Sequence, residues 1–472
     1  MCSLTLDRKY CAYGCPWFVR TLVLVGLLVA IDAQAQPAKT LLDAHRYTEA
    51  IDRVRGGTDA NPMVLGEAHL RRGYALRDLA RLQAEVGAAY YTKRDTSAAA
   101  RSGTPTAYYA ARHQLASPAA SGGAQALRRL VQRGALPAAL QARAQVWLGW
   151  AQYRDGEEAA AKERWARLES ASDPAVAADR ALAHWRAGEP LPALDCGSGG
   201  TEVATLRCRL WTAIRAEDWD RATSLQGELI QQERPAERTK TYRTEQGDTY
   251  EVPFYDPGTL WVLAVADFRA GAAALRRADG DQSNLLAGLV ALKGRDHETA
   301  GSALDAAGAT AYRAVYRAVL GEKTGTPSAT GSLWKKGRQH STVRVRSVWA
   351  QEASRYESYR SAVRDYFETQ DAPDDMRTAL RLGRAALNVD RSETAYRMMN
   401  AAYPVNQNND LRAVDPAYLA TFARAKFREG AQYESEILRH VEAFRTEYPI
   451  ASIAYSLAQG YYVPERTDGL VR

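Results

Sequence analysis

The side chains that could carry catalysis are spread along the sequence and form no known catalytic motif. There is no His-Glu-x-x-His pair, no Walker loop, no Rossmann glycine fingerprint and no nucleophile elbow. The seven histidines are His45, His69, His113, His184, His297, His340 and His440. Paired acids such as Glu157-Glu158 and Asp374-Asp375 stand where helices are expected to begin, where they favour the positive end of the helix dipole. The sequence therefore predicts a non-enzymatic protein with no catalytic residue, no cofactor and no metal ion.

A group of basic and aromatic residues is a candidate contact site. It follows a segment rich in Gly, Thr and Ser at positions 321–332. Such a cluster could bind an anionic glycan, a lipid headgroup or an acidic protein surface. A solvated helix start is the alternative that we favour. The six residues are Trp334, Lys335, Lys336, Arg338, Arg344 and Arg346.

The first 35 residues have the features of a secretory signal peptide. A basic region precedes an apolar stretch from Thr21 to Ile31, and Ala33-Gln34-Ala35 has the small-residue spacing of a cleavage site. The apolar stretch is shorter than the roughly 20 residues that span a bilayer, so an uncleaved anchor is the weaker alternative. We expect an exported protein that is periplasmic or secreted, and soluble or peripherally associated with the envelope.

Length and charge limit the remaining functions. A chain of 472 residues would form two or three domains or one extended repeat structure. The net charge of +7 is mildly basic and spread along the chain. Because an exported protein has little access to nucleic acid, we expect no nucleic-acid partner.

Two cysteines remain after the signal peptide, Cys196 and Cys208. An even pair in an oxidising compartment favours a disulfide, which would stabilise the fold by roughly 3 kcal/mol on a chain-entropy estimate. Two unpaired thiols are the alternative. Zinc is less favoured because no further Cys or His stands at ligand spacing.

A short phrase with alanine, an aromatic or leucine, arginine and glycine at fixed offsets recurs five times, which indicates an internal repeat. The copies are Ala68, Leu70, Arg71, Gly73; Ala151, Tyr153, Arg154, Gly156; Ala183, Trp185, Arg186, Gly188; Ala266, Phe268, Arg269, Gly271; and Ala425, Phe427, Arg428, Gly430. We interpret the glycine as a left-handed helix stop, the arginine as a last-turn charge, the aromatic as a packing group and the alanine as a site of close approach. The histidines at positions 69 and 184 fill the variable slot, for which a surface or groove position is expected.

Residues 146–174 resemble a tetratricopeptide repeat (TPR). Leu148-Gly149 resemble the Leu-Gly of its first helix, Ala161 the small residue of its second helix, and Trp165 the aromatic that follows. Gly156 and Gly188 are about 32 residues apart, close to the 34-residue TPR period. Near the C-terminus, Phe444 and Tyr448-Pro449 resemble the repeats of periplasmic and outer-membrane assembly proteins. The resemblance implies an all-α fold, a TPR-like α-solenoid of stacked antiparallel helix pairs.

Two stretches interrupt the helical pattern. Alternating residues around Gln246-Gly247-Asp248 predict a small β-hairpin insertion near residues 240–253. A loop or linker is predicted over residues 321–341, and a long amphipathic helix from Thr342 to Phe367. These features divide the chain into a signal peptide (1–35), an N-terminal solenoid (36–320), the linker (321–341) and a C-terminal helical region (342–472).

The expected function follows from the resemblance, because concave faces of helical solenoids hold peptides and proteins. We expect a scaffold or adaptor that binds a protein or peptide partner in the bacterial cell envelope. The first alternative is an accessory protein or enzyme of peptidoglycan processing. The second is a glycan-binding module that uses the cluster around Trp334.

Overall fold

The computed structural model of the protein describes residues 37–57, 61–93, 105–116, 122–134, 136–197, 202–232, 237–243, 249–254, 258–326, 330–402 and 415–429. The fold class is all-α, as predicted. The expected signal peptide and Gly430 lie outside the described residues, as does the resemblance at Phe444. No helix in the described ranges is both long and apolar enough to cross a membrane.

The first half of the described chain is built around α3, a helix of 32 residues. They are α1 (Ala38–Asp43), α2 (Tyr47–Arg55), α3 (Pro62–Lys93), α4 (Pro105–Ala116), α5 (Gly123–Gln132), α6 (Ala138–Arg154), α7 (Glu158–Ala166), α8 (Pro174–Ala187), α9 (Val203–Arg215) and α10 (Trp219–Gln232). Proline at the first position of α3 suits a helix start, and the Asn61 side chain accepts hydrogen bonds from the backbone N–H groups of Met63 (3.0 Å) and Val64 (3.2 Å).

The second half of the described chain is also helical. They are α11 (Thr259–Leu275), α12 (Asp281–Gly294), α13 (His297–Ala306), α14 (Ala311–Lys323), α15 (Thr330–Arg338), α16 (Val343–Ala353), α17 (Glu357–Glu368), α18 (Met376–Asn388), α19 (Ser392–Ala401) and α20 (Pro416–Glu429). Each of α12, α14 and α18 packs against the helix that follows it, and α12, α14, α16, α18 and α20 also pack one against the next. The first helices of these pairs therefore form a continuous inner layer.

Helix α3 lies against this inner layer. It packs most extensively on α11 and α20, and also contacts α2, α4 and α12. Elements from both ends of the described chain therefore share one core with α3.

Tight turns with a left-handed residue join consecutive helices. Gly156 (φ 91°) follows α6 and Gly188 (φ 79°) follows α8, so the predicted helix stop is confirmed at these two glycines. The same backbone conformation is adopted by Glu217, Arg295 and Asp390 after α9, α12 and α18. The turn geometry therefore recurs even where glycine does not.

The helix-stop interpretation is wrong at Gly73 and Gly271, which lie inside α3 and α11. A Cβ atom on Gly73 would come within 2.8 Å of the Phe268 ring, and one on Gly271 within 3.0 Å of the His69 Cβ atom. These glycines lie where α3 and α11 cross. Their lack of a side chain allows the two helices to approach closely.

The segment expected to be a linker contains a helix instead. Helix α14 extends to Lys323 and α15 begins at Thr330, within the 321–341 range. The Thr330 hydroxyl and the Trp334 indole N–H donate to Glu322 Oε1 at 2.8 and 3.1 Å, which fastens α15 to α14. The long helix expected from Thr342 is likewise divided into α16 and α17, with a turn at Ser354–Tyr356.

Two strands lie between α10 and α11. Strand β1 (Glu237–Arg243) pairs antiparallel with β2 (Thr249–Phe254), with Tyr242 opposite Tyr250 and a register irregularity between Arg238 and Thr241. The segment predicted to turn, residues 244–248, lies outside the described residues.

Candidate functional site

A cavity of about 410 Å³ lies between α3 and the inner layer of helices. Its walls come from α3, α12, α14, α16, α18 and α20, together with residues that precede α2, α18 and α20. Small-molecule sites in proteins have volumes of roughly 300–1,000 Å³, so this cavity is large enough to hold a ligand.

Apolar side chains form much of the wall. Leu286 and Leu289 are three residues apart and Met376 and Leu380 are four apart, which places each pair on one face of its helix. The apolar wall consists of Leu70 on α3, Leu286 and Leu289 on α12, Val348 on α16, and Met376 and Leu380 on α18. An apolar portion of a ligand would find a matching surface here.

Most charged groups in the lining already have partners. Arg71 pairs with Glu67 one turn earlier on α3, and Arg384 pairs with Asp78 beneath the cavity. Asp375 caps α18 by accepting the Thr378 backbone N–H at 2.9 Å. The Asp415 carboxylate accepts the backbone N–H of Ala417 at 2.9 Å at the start of α20.

Two arginines differ from this pattern. Arg377 and Arg381 lie one turn apart on α18, and neither forms a hydrogen bond or ion pair with any residue that the structure describes. Arg377 is exposed at the rim, whereas Arg381 is half-buried. The cavity therefore offers two guanidinium groups with unused donors.

Tyr316 supplies a further polar group from α14. Its side chain is 7% exposed, and its hydroxyl has no hydrogen-bond partner among the described residues. Burial raises the pKa of Tyr316 well above its usual value, and the charge of Arg381 only partly opposes this shift. The hydroxyl is therefore a neutral donor beside a cation.

His45 lies at the edge of the cavity in the turn between α1 and α2. Its backbone is left-handed (φ 63°), an uncommon conformation for histidine, and its Nδ1 atom is 3.0 Å from the Tyr47 hydroxyl. Burial lowers the pKa of His45 more than the Asp415 carboxylate raises it. The imidazole is therefore neutral near pH 7.

A buried ionic cluster supports the floor of the cavity. Arg77 and Arg384 lie 4.6 and 4.8 Å from the centre of the Tyr74 ring, and both bind Asp78. Burial alone would raise the pKa of Asp78, but the charges of Arg384 and Arg77 hold it well below its usual range. The floor is therefore a buried ionic assembly in which two arginines share one carboxylate.

Comparison with protein-family models, with curated proteins and with solved structures finds no match for this chain.

The predicted basic cluster is only partly a surface. Trp334 is 2% exposed and packs against Tyr356 and Tyr359, so it is a core residue and not a contact platform. Arg346 donates to the carbonyl oxygens of His340 and Ser341, both at 2.9 Å, and so holds the turn before α16.

The remaining four residues of the cluster, Lys335, Lys336, Arg338 and Arg344, are exposed. Of these, Lys336 lines a second, open depression of about 770 Å³, together with Arg313, Arg317 and His340. Arg313 and Arg317 both pair with Asp305, so part of the positive charge of this depression is neutralised. The sequence cluster therefore does not converge on one site.

The arginines of the repeated phrase have several roles. Arg269 pairs with Asp296 at 3.1 Å, and Arg428 pairs with Glu85 at 2.8 Å. Arg186 lies 4.9 Å from the centre of the Trp261 ring, and burial together with nearby arginines lowers its pKa to about 9. Arg154 is exposed. Arg154, Arg186 and Arg428 lie in the last turn of α6, α8 and α20, as expected, whereas Arg71 and Arg269 lie inside α3 and α11, where the last-turn interpretation is wrong.

The alanines of the phrase are uniformly buried, as their expected role in close approach requires. Ala68, Ala151, Ala183, Ala266 and Ala425 are each at most 1% exposed.

Of the surface or groove position expected for His69, the surface position is wrong, although the residue borders a pocket of about 220 Å³. His69 is 1% exposed, and its Nδ1 atom is 2.8 Å from Asp267, which also binds Arg72. The cause is the crossing of α3 and α11, which covers this face of α3. His184 is half-buried, with its ring centre 4.7 Å from that of Trp165.

The sulfur atoms of Cys196 and Cys208 lie at disulfide distance, 2.04 Å, with their Cα atoms 5.6 Å apart. In the described ranges, no three His, Cys, Asp or Glu side chains are grouped so that they could hold a metal ion.

Sequence reasoning missed Arg377, Arg381 and Tyr316. The only local signal was the spacing of Met376, Arg377, Leu380 and Arg381, which places apolar and cationic groups in adjacent stripes of one helix. Nothing in that spacing indicates that α3 covers them, because α3 is distant in sequence.

Proposed function

We propose that the protein is an exported, non-enzymatic scaffold of the bacterial cell envelope, built as a TPR-like α-solenoid that binds protein partners. In this proposal the strand pair between α10 and α11 is a β-hairpin insertion. The chain would work outside the cytoplasm after removal of its first 35 residues.

One observation carries the proposal. The first helices of successive pairs, α12, α14 and α18, pack in line with α16 and α20 and form an inner layer, while α13, α15 and α19 follow them in the chain. Because α3 lies against the inner layer, the surface proposed for a partner is that of the helices that follow, and extended surfaces of stacked helical pairs commonly bind proteins or peptides.

Two further observations are consistent with it. The cysteines at disulfide distance suit an oxidising compartment. The turn after α6 and the turn after α8, each with a left-handed glycine, are spaced by about one TPR period.

Site-specific photo-crosslinking in cells tests the proposal. A photoreactive amino acid replaces Lys335, which is exposed on α15, or Glu393, which is exposed on α19. We expect discrete covalent adducts with the same envelope protein from at least one position. A matched control places the same amino acid at Trp334, which is buried beside Lys335 and should form only internal crosslinks.

Activity on the cell wall separates the proposal from its main alternative. We expect the purified mature protein to produce no clearing in a peptidoglycan gel. Clearing by the protein, combined with the absence of specific adducts, would contradict the scaffold function and favour an enzyme of peptidoglycan processing.

A further inference from the structure

The central cavity combines an apolar wall with two arginines that have no hydrogen-bond or ion-pair partner among the described residues. Six apolar side chains contributed by α3, α12, α16 and α18 face a volume of about 410 Å³. Burying an apolar ligand against such a wall is favourable by roughly 25 cal/mol per Å² of area removed from water. The wall therefore selects a ligand with a substantial apolar part.

Unused guanidinium donors, and not a net positive charge, favour an anionic head group, because Glu67, Asp375 and Asp415 also line the cavity. The Arg71–Glu67 and Arg384–Asp78 pairs are internally neutral, and the Asp375 and Asp415 carboxylates each accept a backbone N–H at a helix start. This leaves Arg377 and Arg381 as the lining cations without a partner in the described chain. Guanidinium groups bind carboxylates well because their planar donors match both oxygens.

Tyr316 strengthens this preference. Its hydroxyl lines the cavity and has no hydrogen-bond partner among the described residues, so it can donate to an acceptor on a ligand. Tyr316 and Arg381 line the same cavity, so one ligand can meet both a neutral donor and a cation.

The lining is poorly suited to an extended peptide. An extended peptide pairs with a strand edge, whereas the described lining comes from helices and the residues next to them, and its one amide side chain is Gln351. That amide donates to Glu352 at 2.8 Å and accepts from Arg384 at 3.5 Å. A simple hydrocarbon tail makes no such demand.

We propose that this cavity binds a small amphipathic anion, a carboxylate attached to an unbranched hydrocarbon chain, with the carboxylate between Arg377 and Arg381 and the chain against Leu70, Leu286, Leu289 and Leu380. Tyr316 donates a hydrogen bond to the carboxylate. The site is additional to the proposed protein-binding function and does not depend on it.

Calorimetric titration with three twelve-carbon probes tests the head group. The probes are dodecanoate, dodecanol and dodecyltrimethylammonium, each kept below its critical micelle concentration. We expect saturable binding of dodecanoate at one site per chain and much weaker binding of the other two. Equal binding of the cation, or no binding of dodecanoate, would overturn the proposal.

Variants of Arg377 and Arg381 test the position of the bound carboxylate. Arg381→Gln and Arg377→Gln remove charge and retain polar bulk. We expect Arg381→Gln to weaken dodecanoate binding by about ten- to hundredfold. Arg377→Gln should weaken it less, because Arg377 is at the rim of the cavity. The matched control is Arg397→Gln on α19, an exposed arginine outside the cavity that should bind dodecanoate as the unaltered protein does. Unchanged affinity in the Arg377→Gln/Arg381→Gln double variant would overturn the proposal.

A second measurement guards against a folding defect. Met376→Gln replaces a half-buried apolar residue at the first position of α18 and should weaken dodecanoate binding without a large change in melting temperature.

A titration with a peptide tests the alternative ligand class, using N-acetyl-Ala-Leu-Leu as the free acid. Tighter binding of this peptide than of dodecanoate would overturn the assignment of a hydrocarbon chain.

Discussion

Single buried carboxylates connect distant parts of this chain. Asp78, Glu85 and Asp267 bind cations that lie far away in sequence: Arg384, Arg424 and Arg72 respectively. Glu352 binds Lys293 at 2.7 Å, and Asp179 accepts hydrogen bonds from Arg143 (2.8 Å), Arg207 (3.0 Å) and the Trp147 indole (2.9 Å). A buried ion pair adds little net stability, but the loss of one partner leaves an uncompensated charge.

These groups make stability depend on pH in one direction. Burial alone would raise the pKa of Asp78, Glu85 and Glu352, but the surrounding cations outweigh burial and lower each pKa. The unfolded chain therefore takes up these protons more readily than the folded chain. The stabilisation is present above the unfolded pKa of about 4 and is lost as the pH falls through the lower folded values.

His69 acts in the same direction at higher pH. Burial lowers the pKa of His69 more than its hydrogen bond and charge interaction with Asp267 raise it. The stabilisation from the neutral imidazole is present above the unfolded pKa of about 6.5 and is lost as the pH falls through the folded value.

We predict that the melting temperature falls in two stages on acidification, first below about pH 6.5 and then below about pH 4. His69→Gln should make the first stage shallower and leave the second in place. His340→Gln, outside the buried network, is the control and should reproduce the unaltered profile. Parallel melting profiles of His69→Gln and the unaltered protein between pH 7 and pH 5 would show that His69 does not contribute.

At the scale of helices, one sequence phrase has two structural uses. After α6 and α8 its glycine ends the helix in a left-handed turn, whereas Gly73 and Gly271 lie in the middle of α3 and α11. The local pattern is the same, but the tertiary position differs. In the second use, the absence of a Cβ atom permits the crossing of two helices.

This difference leads to a prediction about two glycine-to-alanine changes. Gly73→Ala should lower the free energy of unfolding by about 1–3 kcal/mol, because the new methyl group would meet the Phe268 ring at 2.8 Å. Gly227→Ala on α10 is the matched control, since nothing lies within 4 Å of its added Cβ atom. It should stabilise the protein by about 0.5–1 kcal/mol through the better helix propensity of alanine.

Urea unfolding at neutral pH measures both changes. If Gly73→Ala were as stable as Gly227→Ala, the close crossing of α3 and α11 would not be a constraint on this fold.

For the whole molecule, α3 joins elements that are far apart in the chain. It contacts α2 and α4 near the N-terminus and α11, α12 and α20 later on. In a linear repeat array each unit contacts only its neighbours, so unfolding can proceed unit by unit. A shared central helix couples the units.

We therefore predict that loss of one long-range pair destabilises the entire described fold. Glu85→Gln leaves Arg424 and Arg428 without their carboxylate, which should lower the free energy of unfolding by about 3–5 kcal/mol in a single transition. Glu393→Gln, an exposed change on α19, is the control and should have little effect.

Hydrogen exchange followed by mass spectrometry checks the extent of the effect. In Glu85→Gln, peptides from α6 to α10 and from α14 to α19 should lose protection together. Faster exchange confined to α20 would contradict the coupling through α3.

The sequence by itself determined the all-α class, many helices and the turns after α6 and α8, because helix periodicity and left-handed glycines act over a few residues. It also indicated the Cys196–Cys208 pair, since the two residues are only 12 positions apart. These features depend on local geometry, which residue types and spacing encode directly.

Tertiary structure alone decided the position of α3 and everything that depends on it. The Asp78–Arg384 and Glu85–Arg424 pairs join residues 306 and 339 positions apart, and no local spacing encodes such contacts. The same packing buries His69 and brings Arg381 and Tyr316 to one cavity. The cavity exists because helices from distant parts of the chain meet around α3, and that meeting is set by complementary packing over the whole fold.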